Sequence, residues 1–538
     1  MPDRPARDPR DDEARLRHES SDDWRLAEID VKRARRSPDR KSPRVFKRWP
    51  WGIVLLALSV FTLYAIIWYA RNIDNTPFEQ LLFHMRIPLE GAGFNPLKKF
   101  GWPAAALAGF AAFCYWFYIW FSAVPRRRKI RGHVITLVVI FLIVVVIGLD
   151  TIGIFAYAKA RLNESPLWAS EYVDPDEVDI VFPDKKQNLI YIIMESMETT
   201  YADRSHGGAE PTNLVPHLTD FALDDDNVMF SQLGDPTRLG GARNMTGLTW
   251  TAASLIGQMG GIPLKVPTVD VNAFRTESGE FLPGATMIGD ILYDEGYALE
   301  MMMGSSARFA SRDDMYRSHG PWVMWDYDAL AREKLIPPGH FVFWGIEDRM
   351  LFDLAKDRLT ELADGSMPFV FSLLTVDTHF PDGYTYPDRP MLDLRSYGNA
   401  IAWSDRDLAD FVTWCQAQPF YENTTIVMLG DHLSMGKRFF DSVPDAYDRR
   451  IYNVMMNVAR EVDTTRLFNR EFTVMDFFPT TLAALGATIE GDRLGYGTNL
   501  FSNVGTLLER HGVQVVDDML ATNSHFYDET FHRSPAGS

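Results

Sequence analysis

Cysteine is scarce in this sequence, which argues against a disulfide-stabilised fold. Only two cysteines are present among 538 residues. Cys114 lies in an apolar stretch and Cys415 in a soluble region, so we do not expect the two to pair. A cleavable signal peptide is also not predicted, because the first apolar stretch begins only at Trp51, after a long polar segment. Nor do we find an internal repeat of about 20 to 50 residues, the period of repeat architectures.

Basic residues are too few to balance the acidic ones. The chain has 54 Lys and Arg against 72 Asp and Glu, which gives a formal net charge of −18. That charge argues against a general nucleic-acid-binding protein, because nucleic-acid phosphates would be repelled. It fits a soluble domain that relies on a bound cation.

Three long apolar stretches predict a membrane protein. They run from about Trp51 to Ala70, from Trp102 to Val124 and from His133 to Ala158. Each is close to the roughly 20 residues that a membrane-spanning helix needs. A basic cluster, 126–131, separates the second stretch from the third. By the positive-inside rule this short loop is cytoplasmic, so three crossings place everything after about residue 160 outside the inner (cytoplasmic) membrane, on the periplasmic side.

Composition divides the chain into successive regions. The first residues are charged, of mixed sign and poor in aromatic side chains, which is typical of a disordered segment. Prolines interrupt a polar stretch after the third apolar run. We therefore expect a disordered cytoplasmic tail (1–48), a transmembrane region with three helices (49–158), a linker (159–185), an extracytoplasmic catalytic domain (186–502) and a C-terminal tail (503–538).

The extracytoplasmic region alternates apolar runs with amphipathic ones. This alternation predicts an α/β domain with a mainly parallel sheet covered on both faces. We expect strands over 188–194, 228–232, 298–303, 368–375, 424–429 and 451–458, and helices over 214–223, 251–259, 286–294, 347–363, 396–416 and 473–485. The last residues, 503–538, show no clear pattern.

Two of the predicted strands end in potential metal ligands. The strand 188–194 is followed by Glu195, and the strand 424–429 by Gly430, Asp431 and His432. Open α/β sheets bind ligands at the carboxyl ends of their strands. Two carboxylates with one imidazole suit Mn²⁺, Zn²⁺ or Mg²⁺. For any one of these residues alone, an ordinary turn or cap at a strand end explains it as well; the joint occurrence at two strand ends favours a metal site.

Thr251 is a candidate nucleophile between those strands in the sequence. A hydroxyl is a weak nucleophile unless a base or a metal activates it. Thr251 begins the predicted helix 251–259, where the helix dipole favours an alkoxide and an incoming phosphate. The alternative is an ordinary helix cap formed by Thr249 or Thr251. The sequence leaves both roles open.

Three further residues follow strands at the same predicted edge. His379 follows the strand 368–375 and could donate a proton to a leaving alkoxide or bind a phosphate oxygen. Arg308 and Arg312 follow the strand 298–303, and arginine offers a fork for phosphate. The alternatives are a histidine hydrogen-bonded in a turn and surface ion pairs with Asp313 or Asp314.

Taken in order, these segments resemble a known family. The chain is similar to membrane-anchored phosphoglycerol transferases of the alkaline phosphatase/sulfatase superfamily, which include lipoteichoic acid synthases and the enzyme that decorates periplasmic glucans. The resemblance covers about 186–502 and extends to the loop 78–91. The matching segments are Glu195-Ser196, Thr251 before 260–264, Ser318-His319-Gly320, 376–383 and 430–432.

The resemblance implies a sulfatase-like α/β domain and a set of site residues. It implies one Mn²⁺-like ion, with Mg²⁺ or Zn²⁺ as alternatives, held by Glu195, Thr251, Asp431 and His432. Thr251 is implied as the nucleophile that becomes phosphoglycerylated. Arg312 and His379 fall where the family places phosphate- and substrate-binding residues.

Departures from the family narrow the expected function. The lipoteichoic branch has a histidine and a tryptophan where this chain has Met303 and Ala310, and no Cys/Ser-x-Pro-x-Arg motif of hydrolytic sulfatases lies near Thr251. We therefore expect phosphoglycerol transfer from phosphatidylglycerol in the membrane to a periplasmic glucan or related glycan. The alternatives are a phosphoethanolamine transferase, a lipoteichoic-acid-synthase-like polymerase, or a catalytically silent membrane sensor or scaffold.

Overall fold

The structure is a computed structural model that describes residues 49–74, 76–86, 95–121, 126–266 and 280–532. The predicted disordered tail, 1–48, lies outside the described residues. The same holds for residues 87–91 of the loop that resembles the family, and for the last residues, 533–538.

Among the described helices, three are long and apolar enough to cross a membrane, as the sequence predicts. The candidate spans are Trp51–Asn72, Phe100–Phe121 and His133–Thr151, with 22, 22 and 19 residues. The third ends earlier than the predicted Ala158. Gly153, with a positive φ of 77°, separates it from a short helix that begins at Ile154. These helices make the chain a membrane protein.

The described residues divide into two compact units. One contains the residues up to Leu63 together with Pro103–Val145, which hold most of the apolar helices. The other contains the described residues of Tyr64–Trp102 and those from Val146 onwards, including the α/β region.

The helices of the described residues are, in chain order, α1 (Trp49–Asn72), α2 (Phe78–Arg86), α3 (Asn95–Phe121), α4 (Arg126–Thr151), α5 (Ile154–Ala160), α6 (Leu167–Ser170), α7 (Pro216–Leu223), α8 (Thr251–Gly260), α9 (Ile288–Asp294), α10 (Arg312–Ser318), α11 (Tyr327–Arg332), α12 (Asp348–Ala363), α13 (Ser396–Gln416), α14 (Phe477–Ala484), α15 (Leu507–His511), α16 (Val513–Ala521) and α17 (His525–Phe531). The strands are β1 (Ile180–Val181), β2 (Asn188–Met194), β3 (Ala298–Met303), β4 (Val323–Trp325), β5 (Phe369–Leu374), β6 (Thr424–Gly430), β7 (Asn453–Met456), β8 (Thr488–Ile489), β9 (Arg493–Leu494) and β10 (Gly497–Thr498).

A six-stranded sheet forms the centre of the second unit, in the order β4-β3-β5-β2-β6-β7. All neighbouring pairs are parallel except β6 with β7. The predicted mainly parallel sheet is thus confirmed. Side chains alternate along β2 between two apolar clusters: Tyr191 and Ile193 pack in one, Ile190 and Ile192 in the other. Both faces of the sheet are therefore covered, which explains why the strands read as continuous apolar runs.

The register of the sheet positions the candidate site. Met194, the last residue of β2, is paired with Gly430, the last residue of β6. Ile193 is paired with Leu374, the last residue of β5. The chain segments that follow these three strands therefore emerge together at one edge.

One predicted strand is absent, and one strand of the sheet was missed. Residues 228–232 form no strand; Val228 makes only an isolated bridge to Met455. The side-chain amide of Asn453 bonds both the N–H and the C=O of Phe230, at 2.9 Å each, and so takes the place of a strand partner. Strand β4 was not predicted, because three residues are too short to show a periodic pattern.

The two ends of the α/β region contain more regular structure than their sequences indicate. Strand β1 lies in the stretch predicted as a linker and pairs with β8. Helices α15, α16 and α17 lie in the stretch without a clear pattern and bury Leu508, Val516 and Tyr527 in the core. Each helix buries only two or three side chains, which is too few to reveal a helical period in the sequence.

Candidate active site

Glu195, Asp431 and His432 come together at the carboxyl edge of the sheet. Each offers one ligand atom, and these atoms all lie within 4.8 Å of one another. The side chains are buried, with exposed fractions of 3%, 0% and 0%. β2 and β6 are adjacent and end at the same level, and this register brings residues that are far apart in the sequence into one cluster. We call these three residues the carboxylate–imidazole cluster.

The imidazole of His432 is oriented by its own backbone. Its Nδ1 lies 2.9 Å from the carbonyl oxygen of Leu433, which is an acceptor, so Nδ1 carries the proton. Nε2 is then the unprotonated nitrogen of the neutral ring. It faces Asp431 Oδ2 at 3.3 Å and Glu195 Oε1 at 3.7 Å. A second nitrogen held by a backbone carbonyl is the usual way in which a metal-binding histidine is fixed.

Asp431 has one oxygen saturated and one without a donor. Its Oδ1 accepts hydrogen bonds from the N–H groups of Ser196 and His432, both at 2.7 Å. Its Oδ2 is buried and has no hydrogen-bond partner among the described residues. A buried carboxylate oxygen without a donor is energetically unfavourable unless a cation neutralises it. The donor set of the cluster therefore fits a divalent metal ion.

The backbone on the carboxyl side of Glu195 is strained. Ser196 adopts a left-handed conformation with φ of 52°. This conformation directs its N–H to Asp431, while its hydroxyl donates to Glu195 Oε1 at 2.6 Å. Strained non-glycine residues concentrate at functional sites, where the surrounding contacts hold them in place.

Thr251 begins α8 and does not cap it. The residue at the N-cap position is Trp250, and no side-chain hydrogen bond caps the helix. The Thr251 hydroxyl instead donates to Glu195 Oε2 at 3.2 Å, and its oxygen lies 3.4 Å from His432 Nε2. The hydroxyl of Thr249 has no hydrogen-bond partner among the described residues. Of the two threonines, Thr251 thus lies against the carboxylate–imidazole cluster.

Burial and neighbouring charges shift the pKa values of the cluster residues in different directions. Burial favours a neutral Glu195, but His379, His432 and two hydroxyl donors lower its pKa below the usual value. Burial, followed by the charge of Glu195, raises the pKa of Asp431 to about 7. The nearby carboxylates raise the pKa of His432 despite its burial. Because Glu195 and Asp431 are adjacent and buried, ionisation of one disfavours ionisation of the other. A divalent cation between them would stabilise both negative charges.

His379 lies on the loop that follows β5, as predicted, and its imidazole interacts electrostatically with the carboxylate of Glu195. Its Nδ1 lies 2.8 Å from the carbonyl oxygen of Phe380, and the ring packs on Trp344 with centroids 4.6 Å apart. Burial lowers its pKa. Asp348 holds the start of this loop by accepting hydrogen bonds from the N–H groups of Val376 and Asp377, at 2.8 and 3.0 Å.

The two candidate arginines have different surroundings. Arg308 is exposed, whereas Arg312 is buried and interacts electrostatically with Glu195. Arg312 donates to the carbonyl oxygens of Phe309 and Ser306, at 3.1 and 2.8 Å, and to the Ser305 hydroxyl at 3.0 Å. Its hydrogen bonds therefore do not go to Asp313 or Asp314. Burial lowers its pKa to about 10, so the guanidinium stays charged near neutral pH.

Sequence reasoning missed several aromatic contacts next to these residues. Phe309 packs on Trp344 with centroids 5.3 Å apart and lies under the Arg312 guanidinium at 5.7 Å. The only sequence signal for Trp344 is the aromatic density of the run 341–344. His84, on α2, stacks on Phe309 from a segment far away in the sequence.

Comparison with known proteins identifies the family. The sulfatase family model matches residues 187–487. Phosphoglycerol transferase I of Xanthomonas campestris is 27% identical over 435 residues, covering 78% of this chain and 57% of its own length. Phosphoglycerol transferase I of Salmonella choleraesuis is 27% identical over 493 residues, covering 88% of this chain and 59% of its own length. The chain thus spans less than two thirds of the length of these curated relatives.

A solved structure is also similar. A protein of the alkaline phosphatase superfamily from Vibrio parahaemolyticus aligns with a TM-score of 0.46 and 19% identity, covering 63% of this chain and 78% of its own. Since the family model covers more than half of the sequence and includes the three residues of the carboxylate–imidazole cluster, the chain belongs to the sulfatase family.

Proposed function

We propose that the protein transfers a phosphoglycerol group from phosphatidylglycerol to a hydroxyl of a periplasmic glucan or related glycan, through a phosphothreonine at Thr251. The observation that carries the proposal is the contact of the Thr251 hydroxyl with Glu195 and His432. The names of the curated relatives support the nature of the transferred group.

The donor set defines the cofactor site. Glu195, Thr251, Asp431 and His432 would hold one divalent ion, Mn²⁺ in our proposal, with Mg²⁺ or Zn²⁺ as alternatives. When bound, such an ion lowers the pKa of a hydroxyl and offsets the charge of a phosphate.

In the first half-reaction, Thr251 Oγ1 attacks the phosphorus of the donor. A Thr251–phosphorus bond forms, and the bond from phosphorus to the diacylglycerol oxygen breaks. The hydroxyl already donates to Glu195 Oε2, which is the acceptor for its proton. The position of Thr251 at the first turn of α8 favours an anionic phosphate there.

Arg312 and His379 are assigned to the phosphate and the leaving group. Arg312 is buried and interacts electrostatically with Glu195, and its guanidinium offers a positive charge to a phosphate oxygen. His379 is neutral in the free site because burial lowers its pKa. A bound phosphate beside it raises that pKa again, so His379 can be protonated in the complex and give its proton to the leaving diacylglycerol oxygen. Arg308, which is exposed, is at most a peripheral phosphate contact.

In the second half-reaction, the oxygen of a sugar hydroxyl attacks the phosphothreonine, so that a bond from this oxygen to phosphorus forms and the bond from Thr251 Oγ1 to phosphorus breaks. The sugar proton passes to His379, which lost its proton in the first half-reaction, and Glu195 returns its proton to Thr251 Oγ1. Membrane anchoring by the three apolar helices raises the local concentration of a lipid donor at the site.

We place the protein in the inner membrane as a multi-pass protein, with 186–502 as a periplasmic catalytic domain. A cytoplasm-dependent reporter fused to the C-terminus should be silent; strong reporter activity contradicts this orientation.

Release of diacylglycerol tests the function. Purified full-length protein with Mn²⁺ should release diacylglycerol from phosphatidylglycerol vesicles and leave glycerol phosphate on the peptide that holds Thr251. Faster release from phosphatidylethanolamine would favour a phosphoethanolamine transferase. Chains of glycerol phosphate as product would favour a polymerase. A folded protein without release from either lipid would favour a sensor or scaffold.

A further inference from the structure

The segment between the first two apolar helices is built into the second unit. Ile73 forms a bridge with Gly436, and the Asp74 N–H donates to the Met435 carbonyl at 2.9 Å. Gln80 Nε2 lies 3.2 Å from Met435 Sδ. These contacts fix the segment to the loop that follows His432.

Helix α2 is held on its other side as well. Glu79 accepts hydrogen bonds from the Val266 N–H, at 2.7 Å, and from Arg161. Phe83 is fully buried and packs on Trp250, with ring centroids 5.5 Å apart. Trp250 directly precedes Thr251. Helix α2 is thus seated between the chain that follows His432 and the chain that precedes Thr251.

His84 is brought by this helix to the residues around the candidate site. Its ring stacks on Phe309, with centroids 5.8 Å and planes 17° apart. Phe309 packs on Trp344, which packs on His379. His84 and His379 also interact electrostatically. We call His84, Phe309, Trp344 and His379 the aromatic wall.

The chemistry of His84 differs from that of the other polar groups. Arg312 is charged, and the carboxylate–imidazole cluster is suited to a cation. His84 is flanked by phenyl rings, and burial, with a smaller contribution from His379, lowers its pKa to about 4. A neutral imidazole has one donor and one acceptor, which match a neutral hydroxyl better than a phosphate dianion. We find no hydrogen bond to His84 among the described residues.

We propose that His84 binds a glycerol hydroxyl of the phosphoglycerol group that is transferred, and so distinguishes this head group from one without hydroxyls. The proposal rests on the proposed function, since it names a recognition residue of that same site. It assigns the segment between two apolar helices to the substrate site of the second unit.

Binding of two small phosphates to full-length protein tests this role. Isothermal titration in detergent with Mn²⁺ compares glycerol 1-phosphate with ethyl phosphate, which has no hydroxyl on its carbon chain. Wild type should bind glycerol 1-phosphate about tenfold more tightly, the effect of one hydrogen bond. His84→Ala should abolish this preference and leave the affinity for ethyl phosphate within about twofold. His84→Gln, which keeps a donor and an acceptor, should retain part of it.

Met85→Ala is the matched control, because Met85 is next to His84 on the same helix and its side chain is 81% exposed. It should behave like wild type. A wild type without preference, or a His84→Ala variant that weakens both ligands equally, overturns the proposal. If His84→Ala does not fold, as judged by thermal melting, His84→Gln carries the same comparison. Absence of diacylglycerol release by wild type would refute the proposed function, while the titration still decides the role of His84.

Discussion

The carboxylate–imidazole cluster and the aromatic wall are built in different ways. The cluster comes from residues that directly follow β2 and β6, so the register of a buried sheet fixes it. The wall comes from loops and from α2, which lies before the α/β region in the sequence. Rigid strand ends suit groups that take part in bond making. Loops and a separate helix suit recognition, because they can vary without disturbing the sheet.

This difference predicts how variants should behave. Changes in the cluster should reduce kcat or metal binding. Changes at His84, Phe309 or Trp344 should act mainly on substrate affinity, whereas His379 also gives a proton to the leaving group. A variant of His84, Phe309 or Trp344 that removes catalysis, or a cluster variant that changes only affinity, would break the comparison.

The largest effect is expected at Thr251. Thr251→Ala should stay folded, because this residue makes no capping hydrogen bond. Diacylglycerol release should fall by roughly three orders of magnitude or more, since no covalent intermediate can form. Thr251→Ser should retain part of the activity. The measurement is single-turnover release of diacylglycerol.

Thr249→Ala is the matched control. Thr249 is buried nearby, but its hydroxyl has no partner among the described residues. Its removal should leave turnover nearly unchanged. An active Thr251→Ala enzyme, or a phosphoglycerol label found on Thr249 or Ser254, would show that Thr251 is not the nucleophile.

The next largest effect is expected at Asp431. Asp431→Asn keeps an oxygen for the N–H groups of Ser196 and His432, but it replaces the unpartnered Oδ2 with an NH₂ group. Mn²⁺ affinity should fall by about 100-fold or more, because even changes behind the ligands often cost tenfold to 100-fold. Titration calorimetry measures the affinity, and metal analysis measures the content of the purified protein.

Asp476→Asn serves as the control for Asp431→Asn. Asp476 is also buried, accepts hydrogen bonds from two backbone N–H groups, and has a pKa raised to about 7 by burial. It is absent from the carboxylate–imidazole cluster, so its replacement should not change metal content. Full metal occupancy in Asp431→Asn would count against the cluster as the metal site.

The sequence predicts the carboxylate–imidazole cluster better than it predicts the aromatic wall. Apolar runs that end in Glu195 and in Asp431-His432 identify both strands and the carboxylate–imidazole cluster that follows them, because ligand sites of open α/β sheets generally lie at the carboxyl ends of the strands. Of the aromatic wall, only His379 could be found this way, because it follows β5. Trp344 and His84 have no fixed spacing from any strand, and Phe309 lies beside two left-handed residues, Ala310 and Ser311, that no pattern predicts.

Metal binding should depend on pH through Asp431. Burial and the charge of Glu195 raise its pKa to about 7 in the metal-free protein, and the metal requires the deprotonated carboxylate. Below about pH 7, binding must release a proton, so the apparent affinity for Mn²⁺ should weaken by up to about tenfold per pH unit. Above that pH it should be nearly constant. Calorimetry in buffers of different ionisation enthalpy measures the released proton; equal affinities at pH 5.5 and 8 would refute this coupling.

The smallest effect is expected behind the wall, at Asp348. Its two carboxylate oxygens accept the N–H groups of Val376 and Asp377 and so hold the loop that carries His379. Asp348→Asn places an NH₂ group against one of these donors, which costs about 1–3 kcal/mol of stability.

Asp405→Asn is the matched control, because Asp405 is equally buried and accepts hydrogen bonds from the N–H groups of Leu218 and His217 at a helix outside the wall. Both variants should lose similar stability in thermal unfolding. Only Asp348→Asn should lower kcat/KM for phosphatidylglycerol, by a few-fold, since a displaced His379 weakens both its contact with the substrate and its proton transfer to the leaving group. Equal kinetics in the two variants would mean that the position of His379 does not depend on this clamp, and that the wall is held by its aromatic contacts alone.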